Sequence, residues 1–184
     1  LEDHDMTTAP TTELRTFTDL ELVRGDVIEV YAAVRAPLLH LPNYAVTAFG
    51  ERLDRHGAEP GFVAVLAYAD GHPVGYAYGN RIERGDRYWQ RTAPEPAEEY
   101  TERPAVALKE IGVRDEWRGT GTARRMHDAF LAARDESYVT LMVNPAAGDG
   151  KVHRLYRSWG YRDLGQSQPS SASPLLTVMI REAR

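Results

Sequence analysis

The chain has 184 residues, 42% of them hydrophobic and 27% charged, which suits a globular domain able to bury a core without disulfide or metal staples. It contains no cysteine, which excludes a disulfide framework, a thiolate metal site and a cysteine nucleophile. A net charge of −5 argues against nucleic acid as a partner, and no apolar run nears the ~20 residues of a membrane span.

Residues 1–12 show no apolar periodicity and are expected to form a disordered tail, with Met6 a candidate native start and Leu1–Asp5 a tag remnant. They lack the basic start and apolar stretch of a secretory signal, so the expected address is cytoplasmic. Residues 13–184 are expected to form a single domain.

Glu13–Phe17 reads as a short strand. Asp19 is placed to cap a helix in which Leu20, Val23, Val27, Val30, Tyr31 and Val34 recur at helical spacing, ended by Pro37. A second helix is expected over Tyr44–Arg55, stopped by Gly57. The period then changes: Phe62–Tyr68 and Val74–Asn80 read as strands joined at Asp70-Gly71, a strong hairpin signal. Arg84–Pro104 is dense in proline and acid and is expected to be an irregular loop. Ala105–Arg114 is a strand, Gly121–Ala133 a helix and Tyr138–Val143 a strand. Gly150–Trp159 is a short helix closed by Gly160. Tyr161–Gly165 and Leu175–Ile180 are the last strands, separated by a Ser/Pro/Gln tract. The order describes an α/β (α+β type) fold, a mixed sheet flanked by helices.

The chemistry is concentrated where Ala105–Val113 runs through Arg118-Gly119-Thr120-Gly121-Thr122-Ala123 into a helix. A glycine-bearing turn at a helix start exposes unpaired N–H groups at the positive end of the helix dipole, a site for an anion such as phosphate. A P-loop needs a lysine after the second glycine, and none follows Gly121. A dinucleotide fingerprint needs a third Gly or Ala where Arg124 stands.

Arg118-x-x-Gly121-x-Ala123, Leu141-Met142-Val143 and Leu155-Tyr156-Arg157-Ser158-Trp159-Gly160-Tyr161 resemble the motifs of the GNAT acyltransferase superfamily. The resemblance covers nearly the whole chain. It implies a mostly antiparallel seven-stranded sheet with two splayed central parallel strands, Ala105–Val113 and Tyr138–Val143. It implies acetyl-coenzyme A as cosubstrate, its pantetheine against the backbone of Ile111 and Val113 and beside Asn144. Its diphosphate would lie on the N–H groups of Arg118, Gly119, Thr120, Gly121, Thr122 and Ala123. Arg118, Arg124 and Arg125 are candidates to add positive charge there.

By the same resemblance Tyr156 is the general acid for the departing thiolate, and a backbone N–H near Ile111 steadies the oxyanion. Related enzymes often carry a Glu or His eleven or nine residues before the motif arginine. Those places hold Ala107 and Lys109. Glu110 is one candidate base, although strand alternation points it to the far face unless a bulge intervenes; a water chain or a carboxylate of the acidic loop is the alternative. Asp149 is expected to cap the last helix. The histidines show no metal-ligand spacing, and no metal is assigned.

The implied reaction is direct transfer of an acetyl group to the primary amine of a small, cationic acceptor. The acceptor site is expected near Leu38–Tyr44, the Arg84–Pro104 loop and the Gln166–Pro174 hairpin. There Tyr88, Trp89 and Tyr100, with Glu95, Glu98, Glu99 and Glu102, suit a cation. The competing expectation is a coenzyme A-binding sensor of the same fold, motivated by the missing strand Glu or His. A homodimer is left open.

Overall fold

The computed structural model describes residues 11–184. In chain order, β1 is Glu13–Phe17, α1 Arg24–Val34, α2 Val46–Gly57, β2 Val63–Ala69 and β3 His72–Ile82. Then follow α3 at Arg87–Gln90, α4 at Glu98–Thr101, β4 at Ala105–Val113, α5 at Thr122–Ala132 and β5 at Tyr138–Val143. The chain closes with α6 at Lys151–Ser158, β6 at Arg162–Ser167 and β7 at Leu176–Glu182. One seven-stranded sheet has the order β1-β2-β3-β4-β5-β7-β6, and only β4 and β5 run parallel.

Asp70 and Gly71 both take positive φ, as a type I′ hairpin turn requires, and set β3 against β2. One sheet face carries Val65, Ala77, Val106 and Leu108 against Met126 and Phe130 of α5. The other carries Leu66, Tyr76 and Tyr78 against Val27 and Tyr31 of α1 and Phe49 and Leu53 of α2. Alternation along the strands sends one residue to each layer.

Several expectations change. Asp19 accepts a hydrogen bond from the Glu21 N–H at 3.0 Å, but what it caps is a single 3-10 turn, Leu20–Leu22, and α1 begins only at Arg24. The Arg84–Pro104 segment is irregular for most of its length but holds two one-turn helices, α3 and α4. Asp86 caps α3 through the Tyr88 N–H, and burial of Tyr88 and Trp89 over the sheet outweighs the proline content. Thr12, expected in the tail, is buried, and its hydroxyl and carbonyl accept hydrogen bonds from Arg125. The rest of the expected tail, residues 1–10, lies outside the described residues.

The β4–β5 pair is joined only at Val106↔Val139 and Ala107↔Thr140. Both strands continue beyond, β4 to Val113 and β5 to Val143, without further ladder pairs between them. The parallel pair therefore opens toward its C-terminal ends.

Candidate active site

The turn after β4 leads into α5 through a 3-10 turn at Asp115–Trp117. Gly119 and Gly121 take φ of 72° and 83°, where other residues are strained, and nothing lies within 4 Å of a Cβ added to either. Among the described residues, the N–H groups from Gly119 through Arg124 have no hydrogen-bond acceptor. They point out of the start of an eleven-residue helix whose dipole adds positive charge. The Thr120 hydroxyl donates to the Trp117 carbonyl at 2.5 Å and lies 2.8 Å from the Thr122 hydroxyl, which braces the turn. Open space, free donors and helix polarity fit a diphosphate.

The cradle differs from expectation in its flanks. The Arg118 N–H is engaged by the Asp115 carbonyl, and its side chain pairs with the Asp115 carboxylate. Arg124 pairs with Asp128 and lies over the Trp159 ring, while Arg125 holds Thr12. None of these guanidinium groups is left waiting at the turn; the main chain supplies the donors. Asn144 uses its side-chain oxygen on the Ala146 N–H, an Asx turn that ends β5. Asp149 does not cap α6. It sits at φ 55° in the turn before, and the N-cap is Gly150 at φ 83°.

The β3–β4 register shifts between Tyr78 and Gly79: Tyr78 faces Glu110 and Gly79 faces Leu108, leaving Lys109 as the extra residue. This bulge resets the alternation. Leu108 packs toward α5, and Ile111 and Val113 return to that layer, while both Lys109 and Glu110 turn to the α1–α2 side. Gly79 permits this, since a Cβ there would overlap the Ala107 carbonyl.

Glu110 thus enters a recess beneath α1 and α2. Its carboxylate is 3.8 Å from the Arg52 guanidinium, with 18% of its side chain exposed. Burial raises its pKa above the ordinary carboxylate value, opposed by the charges of Arg35 and Arg52. Beside it, His56 shares a 3.1 Å hydrogen bond between Nδ1 and the Tyr78 hydroxyl. Burial, with Lys109, Arg52 and Arg55 nearby, lowers the His56 pKa to about 3, so its imidazole is neutral. The Lys109 ammonium is 5.6 Å from the centre of the Tyr88 ring, and burial lowers its pKa.

Tyr156 comes from α6 at the open end of β5. A Schellman closure fixes it: the Tyr161 N–H donates to the Tyr156 carbonyl at 3.1 Å and the Gly160 N–H to the Arg157 carbonyl at 3.0 Å, with Gly160 at φ 92°. Its ring meets Trp159 and Tyr161 edge-on, at 5.5 and 5.9 Å between centroids. Among the described residues its hydroxyl has no hydrogen-bond partner. Burial first, and then the Glu110 charge, raise its pKa and keep the phenol protonated.

This geometry joins an anion cradle, a split parallel pair and a carboxyl–phenol pair within one sheet. The model of the acetyltransferase (GNAT) family matches residues 29–161. The chain belongs to the GNAT acetyltransferase family. Solved structures share the fold at low identity. Ard1 from Thermoplasma volcanium is 18% identical with a TM-score of 0.62, covering 94% of this chain and 97% of that one. The ribosomal-protein-S18-alanine N-acetyltransferase from Escherichia coli is 11% identical, TM-score 0.61, covering 94% of each chain. An aminoglycoside 6′-acetyltransferase type Ii is 14% identical, TM-score 0.62, covering 94% and 97%. No curated protein matches the chain. No helix among the described residues is long and apolar enough to cross a membrane.

The turn before α5, Glu110 and Tyr156 are the candidates the sequence motifs single out; Arg35, Arg52 and His56, at the end of α1 and on α2, are not part of any such motif. A signal was present in α2: Phe49, Arg52, Leu53 and His56 recur at helical spacing, so Arg52 and His56 belong to the same face as the core residues. Glu98 pairs with Arg84, and Tyr100 meets Tyr138 edge-on and receives a hydrogen bond from Arg162. Those contacts lie at the N-terminal ends of β4 and β5, away from the opening.

Proposed function

We propose that this acetyltransferase moves an acetyl group from acetyl-coenzyme A directly to the primary amine of a small acceptor. Acetyl-coenzyme A, when bound, supplies an activated thioester. The free N–H groups of Gly119 to Ala123 would hold its diphosphate, and the unpaired edges of β4 near Ile111 and Val113 would hold its pantetheine as an added strand does. Asn144, at the end of β5, would border the same groove.

The amine arrives as an ammonium, which is the cationic part of the acceptor. Glu110 takes its proton, and the raised pKa of this largely buried carboxyl brings it closer to the range a base needs near neutrality. The freed amine would attack the thioester carbonyl; Tyr156 gives its proton to the leaving sulfur, since a phenol kept protonated by burial is loaded for donation, and takes back the surplus proton of the newly acetylated nitrogen. No covalent enzyme intermediate is needed, in keeping with a chain that has no cysteine.

The observation that carries this reading is the bulge at Lys109, which turns Glu110 from the α5 face into the recess it shares electrostatically with Tyr156. The test is calorimetric binding of acetyl-coenzyme A followed by thiol release with a panel of amines. Binding with turnover supports transfer. Binding without turnover on any amine favours the sensor, and no binding removes both.

A further inference from the structure

The recess around Glu110 holds more positive charge than Glu110 needs. Arg52, on α2, lies over the Phe49 ring at 5.5 Å, and Phe49 stacks on Tyr31 at 3.7 Å. The Tyr31 hydroxyl donates to the Tyr44 carbonyl, and Arg35, just past α1, lies over the Tyr44 ring at 5.9 Å. One aromatic shelf therefore carries two guanidinium groups toward one carboxylate. Among the described residues neither reaches a carboxylate or carbonyl at hydrogen-bond distance, since the Arg52–Glu110 approach is 3.8 Å. Both charges act on Glu110, which is how they share its surroundings. The other titratable groups facing the recess are Tyr31, Tyr76, Tyr78, Tyr156, neutral His56 and Lys109, and Lys109 has Glu59 and Asp86 as its own counter-charges.

A guanidinium held near an aromatic ring rather than by a carboxylate keeps N–H donors for a ligand, and its fork of donors matches a carboxylate in two-point fashion. We infer that the acceptor carries a carboxylate beside its amine, as a free amino acid does, with the amine at Glu110 and the carboxylate on Arg52 and Arg35. This rests on the acetyl-transfer reading above and specifies its acceptor. The acceptor is then zwitterionic: its ammonium meets Glu110, and its carboxylate meets the two arginines.

The experiment measures thiol release from acetyl-coenzyme A with the common free amino acids, their carboxamides and the corresponding decarboxylated amines. The parent enzyme is expected to prefer an acid over its amide by about 10- to 100-fold in kcat/KM, the worth of a charge-assisted pair. Arg35→Gln and Arg52→Gln should each erase most of that preference by raising the acceptor KM, with the KM for acetyl-coenzyme A unchanged. Arg52→Lys, which keeps charge without the fork, should recover only part. Circular dichroism melts confirm that the variants fold. Equal or faster turnover of amides or decarboxylated amines overturns carboxylate recognition and leaves acetyl transfer standing, as does turnover of amines but of no amino acid. Failure to bind acetyl-coenzyme A overturns both.

Discussion

The Glu110 carboxylate stands 3.8 Å from the Arg52 guanidinium, across the gap between β4 and α2. The pair exists because one extra residue, Lys109, shifts the strand and turns Glu110 toward the helices. The charge of Arg52 holds down a pKa that burial pushes up.

Glu110→Gln is expected to lower kcat by about 100-fold or more, the usual contribution of a general base. The parent should lose kcat/KM as pH falls through the raised Glu110 pKa, because only the ionised carboxyl accepts a proton. The variant should lack that acid limb. A pH–rate profile with the limb unchanged in Glu110→Gln would remove Glu110 as base. The stability sign is opposite. A carboxyl raised by burial favours the fold below its unfolded pKa and loses that benefit as pH rises, so the neutral Gln variant should be no less stable near neutrality.

Tyr156→Phe keeps the ring between Trp159 and Tyr161 and removes only the hydroxyl. Turnover should fall by roughly 100-fold with the acetyl-coenzyme A affinity unchanged. Steady-state kinetics beside calorimetry separate the two quantities, and full turnover in the variant would exclude Tyr156 as acid.

Gly121→Asp places a side chain at φ 83° and a negative charge in front of the free N–H groups. Acetyl-coenzyme A affinity should drop by at least tenfold, about 1.4 kcal/mol. Calorimetry showing the parent affinity would count against the cradle.

Gly79→Ala sets a methyl against the Ala107 carbonyl at the bulge. The expected loss is about 1–3 kcal/mol of stability, measured by urea unfolding, as for other overpacked sites. A variant as stable as the parent would mean that the bulge tolerates a side chain.

His56, with its folded pKa lowered to about 3 by burial, is neutral in the fold and protonated in the unfolded chain below the ordinary 6.5. Its stabilising contribution is therefore complete above that ordinary value and is lost as pH falls from it toward about 3. His56→Gln should lose less stability than the parent between neutral pH and about pH 4. Parallel curves in chemical denaturation would contradict the burial argument.

The chain's own pattern carries most of the strands and the turn before α5. β1, β4 and β5 are legible from local alternation, the hairpin from Asp70-Gly71, and the phosphate-suited turn from Gly119 and Gly121, because each depends on backbone preferences a few residues long. Tyr156 is legible through its motif. The facing of Glu110, the arginine pair on the aromatic shelf and the burial of Tyr88 and Trp89 are decided only by tertiary structure. A bulge depends on how Gly79 lets β3 approach β4, and the charge around Glu110 comes from helices more than fifty residues earlier in the chain. Periodicity within one segment carries no information about the partner strand's register, so the far face and the near face of β4 look alike until the sheet is assembled.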